Sequence, residues 1–177
     1  MTAVKSPAGS RSNTGSRRRD VLLAELAAAR TDLLAALNDV PPELAMTPGI
    51  VGSWSARDLA VHVAFWSDHA ADALALATSG RGAEFGYDAS QTDAMNEDVF
   101  RDGRGLAMDD AMAREEAAFG RFHAALAGIS DALLDLRLGN GDTVEAVVRY
   151  DGADHFAEHA GQLRAWFDGG EEPADDE

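Results

Sequence analysis

The sequence predicts an all-α protein, a four-helix bundle with one long crossover between its second and third helices. Three observations lead there. Four segments carry apolar residues at helical spacing, bounded by start and stop signals. The link between the second and third segments, about residues 79–106, is long and glycine-rich. With both polar ends set aside, about 150 residues remain, enough for one sizeable core and too few for two.

The first helix is expected over about residues 17–38, with Leu22, Leu26, Ala29, Leu33 and Leu37 on one stripe. Pro41 and Pro42 stop it. The second starts at "GSWSARD", where Ser55 and Asp58 have capping-box spacing, and runs to about Thr78. Leu59, Val63, Trp66, Ala70, Ala73 and Ala77 form its inner stripe. The third covers about Met108–Gly128, with Met112, Phe119, Phe122 and Leu126 inward.

The start of the fourth helix has two readings. "LRLGNGDTVEAVV" alternates like a hairpin around Asn140-Gly141, yet Asp142 and Glu145 stand at capping distance with helical spacing after them. A helix over about residues 143–168, tolerating Gly152 inside it, is the reading adopted. A bundle helix of about 24 residues is roughly 36 Å long. An extended link like that before the third helix can cover this distance, so helices two and three need not be antiparallel neighbours. A short helix is expected inside the link, around Thr92–Arg101.

Residues 1–16 read as a disordered Ser/Gly-rich leader, 17–169 as one helical-bundle domain, and 170–177 as an acidic disordered tail. The net charge of −16 argues against nucleic acid as a partner. No apolar run is long enough to span a membrane, so no membrane partner and a cytoplasmic location are expected. Cysteine is absent, which excludes disulfides, thiolate metal sites and a cysteine nucleophile. Any metal must be held by nitrogen and oxygen.

Candidate site residues begin with "DHFAEHAGQLRAWF". His155 and His159 lie one turn apart on one helical face. At about 100° per residue they border the apolar face formed by Phe156, Ala160, Leu163 and Phe167. Two imidazoles at the edge of a core stripe, bonded to carbonyls or water, would also account for the pair. Inside the bundle mouth, however, an unpaired imidazole is costly and a metal is a suitable partner. His62, at the border of the second helix's stripe, completes a candidate trio; His69 and His123 are the other histidines. Three neutral imidazoles leave coordination positions open, as in a catalytic site. Asp58, Asp154 and Glu158 are candidates to orient these rings. Tyr87, Asn96 and Glu97 on the crossover are candidates to cap the pocket, and Trp54 and Trp66 read as core.

"GSWSARDLAVHVAFW", followed by "DHFAEHAGQLRAW", resembles the DinB-like superfamily of bacterial helical bundles. That group includes thiol-dependent maleylpyruvate isomerases and small-thiol S-transferases. The match rests on Trp54-Ser55, His62 and the His155/His159 pair. The resemblance implies an up-down-down-up topology and a divalent metal, zinc or nickel, on the three histidines. "AMNEDVFRDGRGLAMDDA" and "HAGQLRAW" also resemble the colibactin self-resistance branch, whose hydrolysis does not rest on a histidine-bound metal.

The expected function is therefore a metal-dependent S-transferase, isomerase or hydrolase, with a metal-bound thiolate or water as nucleophile. Its partners would be an electrophilic small molecule and a low-molecular-weight thiol. Because the chain has no sulfur nucleophile of its own, mycothiol or bacillithiol would supply one; mycothiol is preferred on the GC-rich codon signature of an Arg- and Ala-rich chain. The alternatives are a metal-independent hydrolase of the colibactin-resistance type and a non-catalytic metal-binding or dimerising module. Ala-rich helix faces suit a homodimer.

Overall fold

A computed structural model of the protein describes residues 17–169. The expected leader and tail lie outside the described residues. Among the described residues seven α-helices follow one another: α1 (Arg17–Asn38), α2 (Ala56–Thr78), α3 (Thr92–Gly103), α4 (Met108–Gly128), α5 (Asp131–Leu134), α6 (Val144–Val148) and α7 (Asp154–Phe167). The described residues contain no strand, only two isolated bridges, so the all-α expectation holds.

Polar contacts between helices give their directions. Arg18 meets Glu145, Glu25 meets Arg149 and Asp32 meets Arg164. Numbers rise together, so α1 runs parallel to α6–α7. Likewise Val61 clusters with Ala111, and Asp68 pairs with Arg121, so α2 and α4 are parallel. The order reverses between α1 and α4, where Arg30 meets Glu115 and Arg19 reaches the Ile129 carbonyl. It also reverses between α2 and α7, where His62 lies by His155 and His69 by Asp151. Up-down-down-up is the result.

The stripes predicted from spacing form the core. Leu22, Leu26, Leu33 and Leu37 of α1 are buried with Leu59, Val63, Ala70, Ala73 and Ala77 of α2. Small side chains on α2 let α4 approach closely, bringing in Phe122 and Leu126. At the start of α2, Ser55 and Asp58 form the capping box their spacing predicted. The crossover carries two short 3₁₀ turns and then α3, whose Val99 packs with Ala60, Val61 and Ala111. No helix among the described residues is long and apolar enough to cross a membrane.

Both readings of residues 136–150 were partly right. Arg137 bridges Thr143 across a turn in which Gly141 has φ 92°, and Thr143 then caps α6 through the Ala146 N–H. Asn140-Gly141 makes the turn, and the helix follows, capped by Thr143 and not by the expected Asp142, whose carboxylate bonds Asn140 and Tyr150. The departure lies at Gly152. Residues Arg149–Ala153 form a π-helical turn between α6 and α7, instead of the uninterrupted helix expected. Gly152 lies against Leu26 and Phe122, both fully buried, and an added Cβ would come within 3.0 Å of Leu26 Cδ1 and 3.1 Å of Phe122 Cε1. Neither neighbour has room to retreat. Gly152→Ala is expected to destabilise the chain by about 1–2 kcal/mol, overpacking outweighing the reduced freedom of the unfolded chain. Gly120→Ala, facing open space on α4, is expected to stabilise it by about 0.5–1 kcal/mol. Urea midpoints of the two variants moving the same way would contradict this.

Candidate metal centre

α2 and α7 cross where their polar borders meet, and three histidines converge there. His155 Nε2 lies 2.8 Å from His62 Nε2 and 2.8 Å from His159 Nε2. All three nitrogens fall within 4.8 Å of one another. Ligands sharing one ion at about 2.0–2.1 Å stand roughly 3 Å apart, so the cluster has the dimensions of a coordination site. His62 and His159 are buried and His155 is nearly so.

The chemistry of the rings fits a cation as well. Burial, with His155 and His159 alongside, holds His62 far below the ordinary imidazole range. Burial and the neighbouring His159 take His155 down to about 3. His159 is lowered by burial, against the opposing effects of its hydrogen bond to Gln162 and of the Glu158 charge. Neutral imidazoles are the ligand form, and these three are neutral at physiological pH. His159 also has its tautomer fixed. Its Nδ1 donates to Gln162 Oε1 at 2.6 Å, which leaves the Nε2 lone pair facing the cluster. Gln162 Nε2 in turn donates to Glu158 Oε1 at 3.4 Å. The Nδ1 of His62 has no hydrogen-bond partner among the described residues, whereas a hydrogen bond with the Asp151 backbone opposes the lowering of His155.

A cavity of about 360 Å³ opens beside the cluster, bounded by Trp54, Trp66, Tyr87, Asn96 and Tyr150 as well as the histidines. The Trp54 ring lies 4.6 Å from that of His62, and the Trp66 indole donates to Asn96 Oδ1 at 3.1 Å. Three imidazoles on two helices, facing a cavity of small-molecule size, are a constellation in which a bound cation would meet an organic ligand.

Residues 25–164 match the model of the DinB superfamily. The chain belongs to the DinB superfamily. Two solved structures share the fold. One is an uncharacterised protein from Escherichia coli UTI89, 19% identical, with a TM-score of 0.74 over 85% of this chain and 93% of that one. The other is the colibactin self-resistance protein ClbS in complex with a dsDNA, 16% identical, with a TM-score of 0.73 over 85% of this chain and 95% of that one. At such identities the likeness establishes the fold alone. No curated protein matches the sequence.

The ClbS complex corrects one expectation. Nucleic acid was excluded as a partner on net charge, yet a protein of this fold has been solved on duplex DNA. Net charge is a whole-chain sum, whereas contacts are made within a Debye length of about 8–10 Å, so the sum does not decide them.

Within this DinB-superfamily bundle, the histidines separate cleanly. His62, His155 and His159 cluster, while His69 lies outside the trio and pairs with Asp151 at 2.7 Å. His123 lies beside Phe119 on α4, the rings tilted, and is not among the residues lining the cavity. Asp58 does not orient an imidazole. Its Oδ2 accepts from the Ser55 N–H and Oγ–H, and its Oδ1 accepts from two nitrogens of Arg57, so its acceptor sites are filled. Glu158 reaches His159 only through Gln162, and Asp154 is exposed. Tyr87 and Asn96 line the cavity and Glu97 does not.

Gln162 and Asp151 were missed. Gln162 was within reach of spacing, being three residues beyond His159 on the same helix. Asp151 was not, because the π turn alters the register that a 3.6-residue period assumes. Asp151 is buried, which raises its carboxyl to about 6 despite the bond from His69, so it remains mostly ionised at neutral pH.

Two outcomes follow. Gln162→Leu is expected to lower zinc affinity about 10- to 100-fold, the usual effect of losing the group that fixes a ligand's tautomer. An unchanged zinc isotherm would exclude that role. The second concerns pH. Unfolded histidines titrate near 6.5, so below that value the unfolded metal-free chain binds protons that the folded trio refuses, down to about pH 3 at His155. Stability of the metal-free protein should therefore fall between pH 7 and pH 4. Asp151 acts oppositely below about 6, but as one group against three. A urea midpoint that rises on acidification would contradict this.

Proposed function

We propose that this protein is a metal-dependent enzyme, with zinc or nickel held by His62, His155 and His159, that joins a small thiol or water to an electrophilic substrate. The convergence of three Nε2 atoms at the wall of an open cavity carries this reading. A divalent cation on three neutral imidazoles keeps most of its charge and would favour the ionised form of a thiol or water in its free position.

The chain's own residues supply the rest. Gln162 fixes which His159 nitrogen is bare. Trp54 packs on His62, limiting the ring's freedom, and Trp66 and Tyr87 shelter the cavity from solvent on the crossover side. With no cysteine in the chain, thiol chemistry needs an external thiol, and mycothiol or bacillithiol is the class we assign. Free thiols of this kind persist in a reducing compartment, so we place the protein in the cytoplasm. A non-catalytic scaffold is a poorer account, since it has no use for a cavity left open beside buried imidazoles.

The sequence resemblance to the colibactin self-resistance branch implies one other reading, a hydrolase that works without metal, and the fold shared with ClbS is compatible with it. A single assay separates them: turnover of electrophilic substrates by the metal-loaded chain, with and without each thiol, then after chelation. Thiol-dependent turnover that disappears on chelation is the expected result. Equal turnover without thiol would favour water as nucleophile, and turnover that survives chelation would select the metal-free hydrolase.

A further inference from the structure

The cavity beside the trio has an unusual charge pattern. Among the residues lining it there is no lysine and no arginine, but two carboxylates, Asp151 and Glu158. Asp151 is buried on the π turn with one oxygen bonded to His69 Nδ1. Glu158 stands at the exposed rim of α7, steadied by Gln162. Between them the wall is aromatic. Trp54, Tyr87 and Tyr150 are each half-buried with part of the ring open to the cavity, and Trp66 meets Tyr87 edge-to-face at 5.7 Å.

Anionic small molecules are usually held by guanidinium or ammonium groups, and this wall offers none. Aromatic faces attract cations through their quadrupoles, and the attraction strengthens when the site is desolvated. A nearby carboxylate adds to it. A divalent cation held by the histidines would not reverse this balance, because the two carboxylates would offset its two charges.

We infer that the organic substrate of this site carries a positive charge, an ammonium or guanidinium group on an apolar body, seated between the aromatic wall and the Asp151 and Glu158 carboxylates. The inference rests on the reading of the cavity as a substrate site, and deepens it by naming the substrate's charge. A cavity of about 360 Å³ lies at the small end of the ~300–1,000 Å³ range of small-molecule sites, which suits a single-ring compound.

The test uses three probes of similar size, benzyltrimethylammonium, benzyl alcohol and phenylacetate, titrated into the full-length protein by calorimetry and tryptophan fluorescence. Binding is measured first in metal-free protein and then with zinc bound. In metal-free protein the ammonium probe should bind about tenfold or more tighter than phenylacetate. Glu158→Gln and Asp151→Asn should each weaken the ammonium probe several-fold and narrow that ratio. Glu158 is exposed, so its variant tests the idea even if Asp151→Asn fails to fold. Phenylacetate binding as well as the ammonium probe, no binding of the ammonium probe, or no effect of Glu158→Gln would overturn the assignment. Failure of the metal reading is a separate event, seen as absent zinc binding while the probe selectivity in metal-free protein stands.

Discussion

Replacing His155 by alanine is expected to abolish stoichiometric binding of zinc or nickel, with any metal-dependent turnover lost alongside. His155 is the middle member of the trio, 2.8 Å from each of the other two Nε2 atoms, so its removal leaves two nitrogens with no third on their shared side. Zinc held by four protein ligands is bound by about 10–16 kcal/mol, which makes one ligand worth roughly 3 kcal/mol, or a hundred- to a thousandfold in affinity. The fold should tolerate the change. His155 lines the cavity, so truncating its ring enlarges existing space and leaves no sealed void in the core.

Thermal unfolding with and without zinc separates these effects. Ligand at a hundred times its dissociation constant stabilises the wild type by about 2.7 kcal/mol, and the variant should show almost none of that shift. His69→Ala and His123→Ala should keep it, since neither ring belongs to the cluster. Full metal retention in His155→Ala would remove the site.

Much of this architecture is legible in the sequence, for specific reasons. α1 and α4 are single helices whose buried stripes recur at helical spacing, and α2 begins at a local capping box, so periodicity and one cap gave their extents. The trio was legible because His155, His159 and His62 each border an apolar stripe, and bordering residues meet where two helices cross. What escaped depends on departures from the helical period or on competition for a side chain. Spacing placed Asp58 near His62 but could not show that the cap and Arg57 fill its acceptor sites. The His69–Asp151 pair needs the π turn, which no 3.6-residue pattern announces.

The largest structural effect is expected on the far side of the bundle from the site, at the pair that fixes α1 against α4. Glu115 is fully buried and takes two bonds from Arg30, Nε to Oε1 at 2.9 Å and Nη2 to Oε2 at 2.7 Å. The guanidinium also lies over the Phe119 ring, 4.2 Å from its centre. Truncating Arg30 to alanine leaves a buried carboxylate with nothing to offset its charge, and such losses cost about 3–5 kcal/mol. Against a total of about 5–15 kcal/mol, this brings the chain close to unfolding. Removing both charges is a different matter. The double variant Arg30→Met with Glu115→Leu loses the attraction but also the desolvation of two ions, and should lie near wild type or above it. Urea denaturation of the single and double variants measures the contrast. If Arg30→Ala unfolds within about 1 kcal/mol of wild type, the range of an exposed surface pair, the ion pair is not what holds α1 and α4 in register. If instead the double variant is as unstable as the single one, the geometry of the pair matters more than its charge. The expected result is a large loss in the first and near-recovery in the second, which would locate the cost in the orphaned charge and not in the missing side chain.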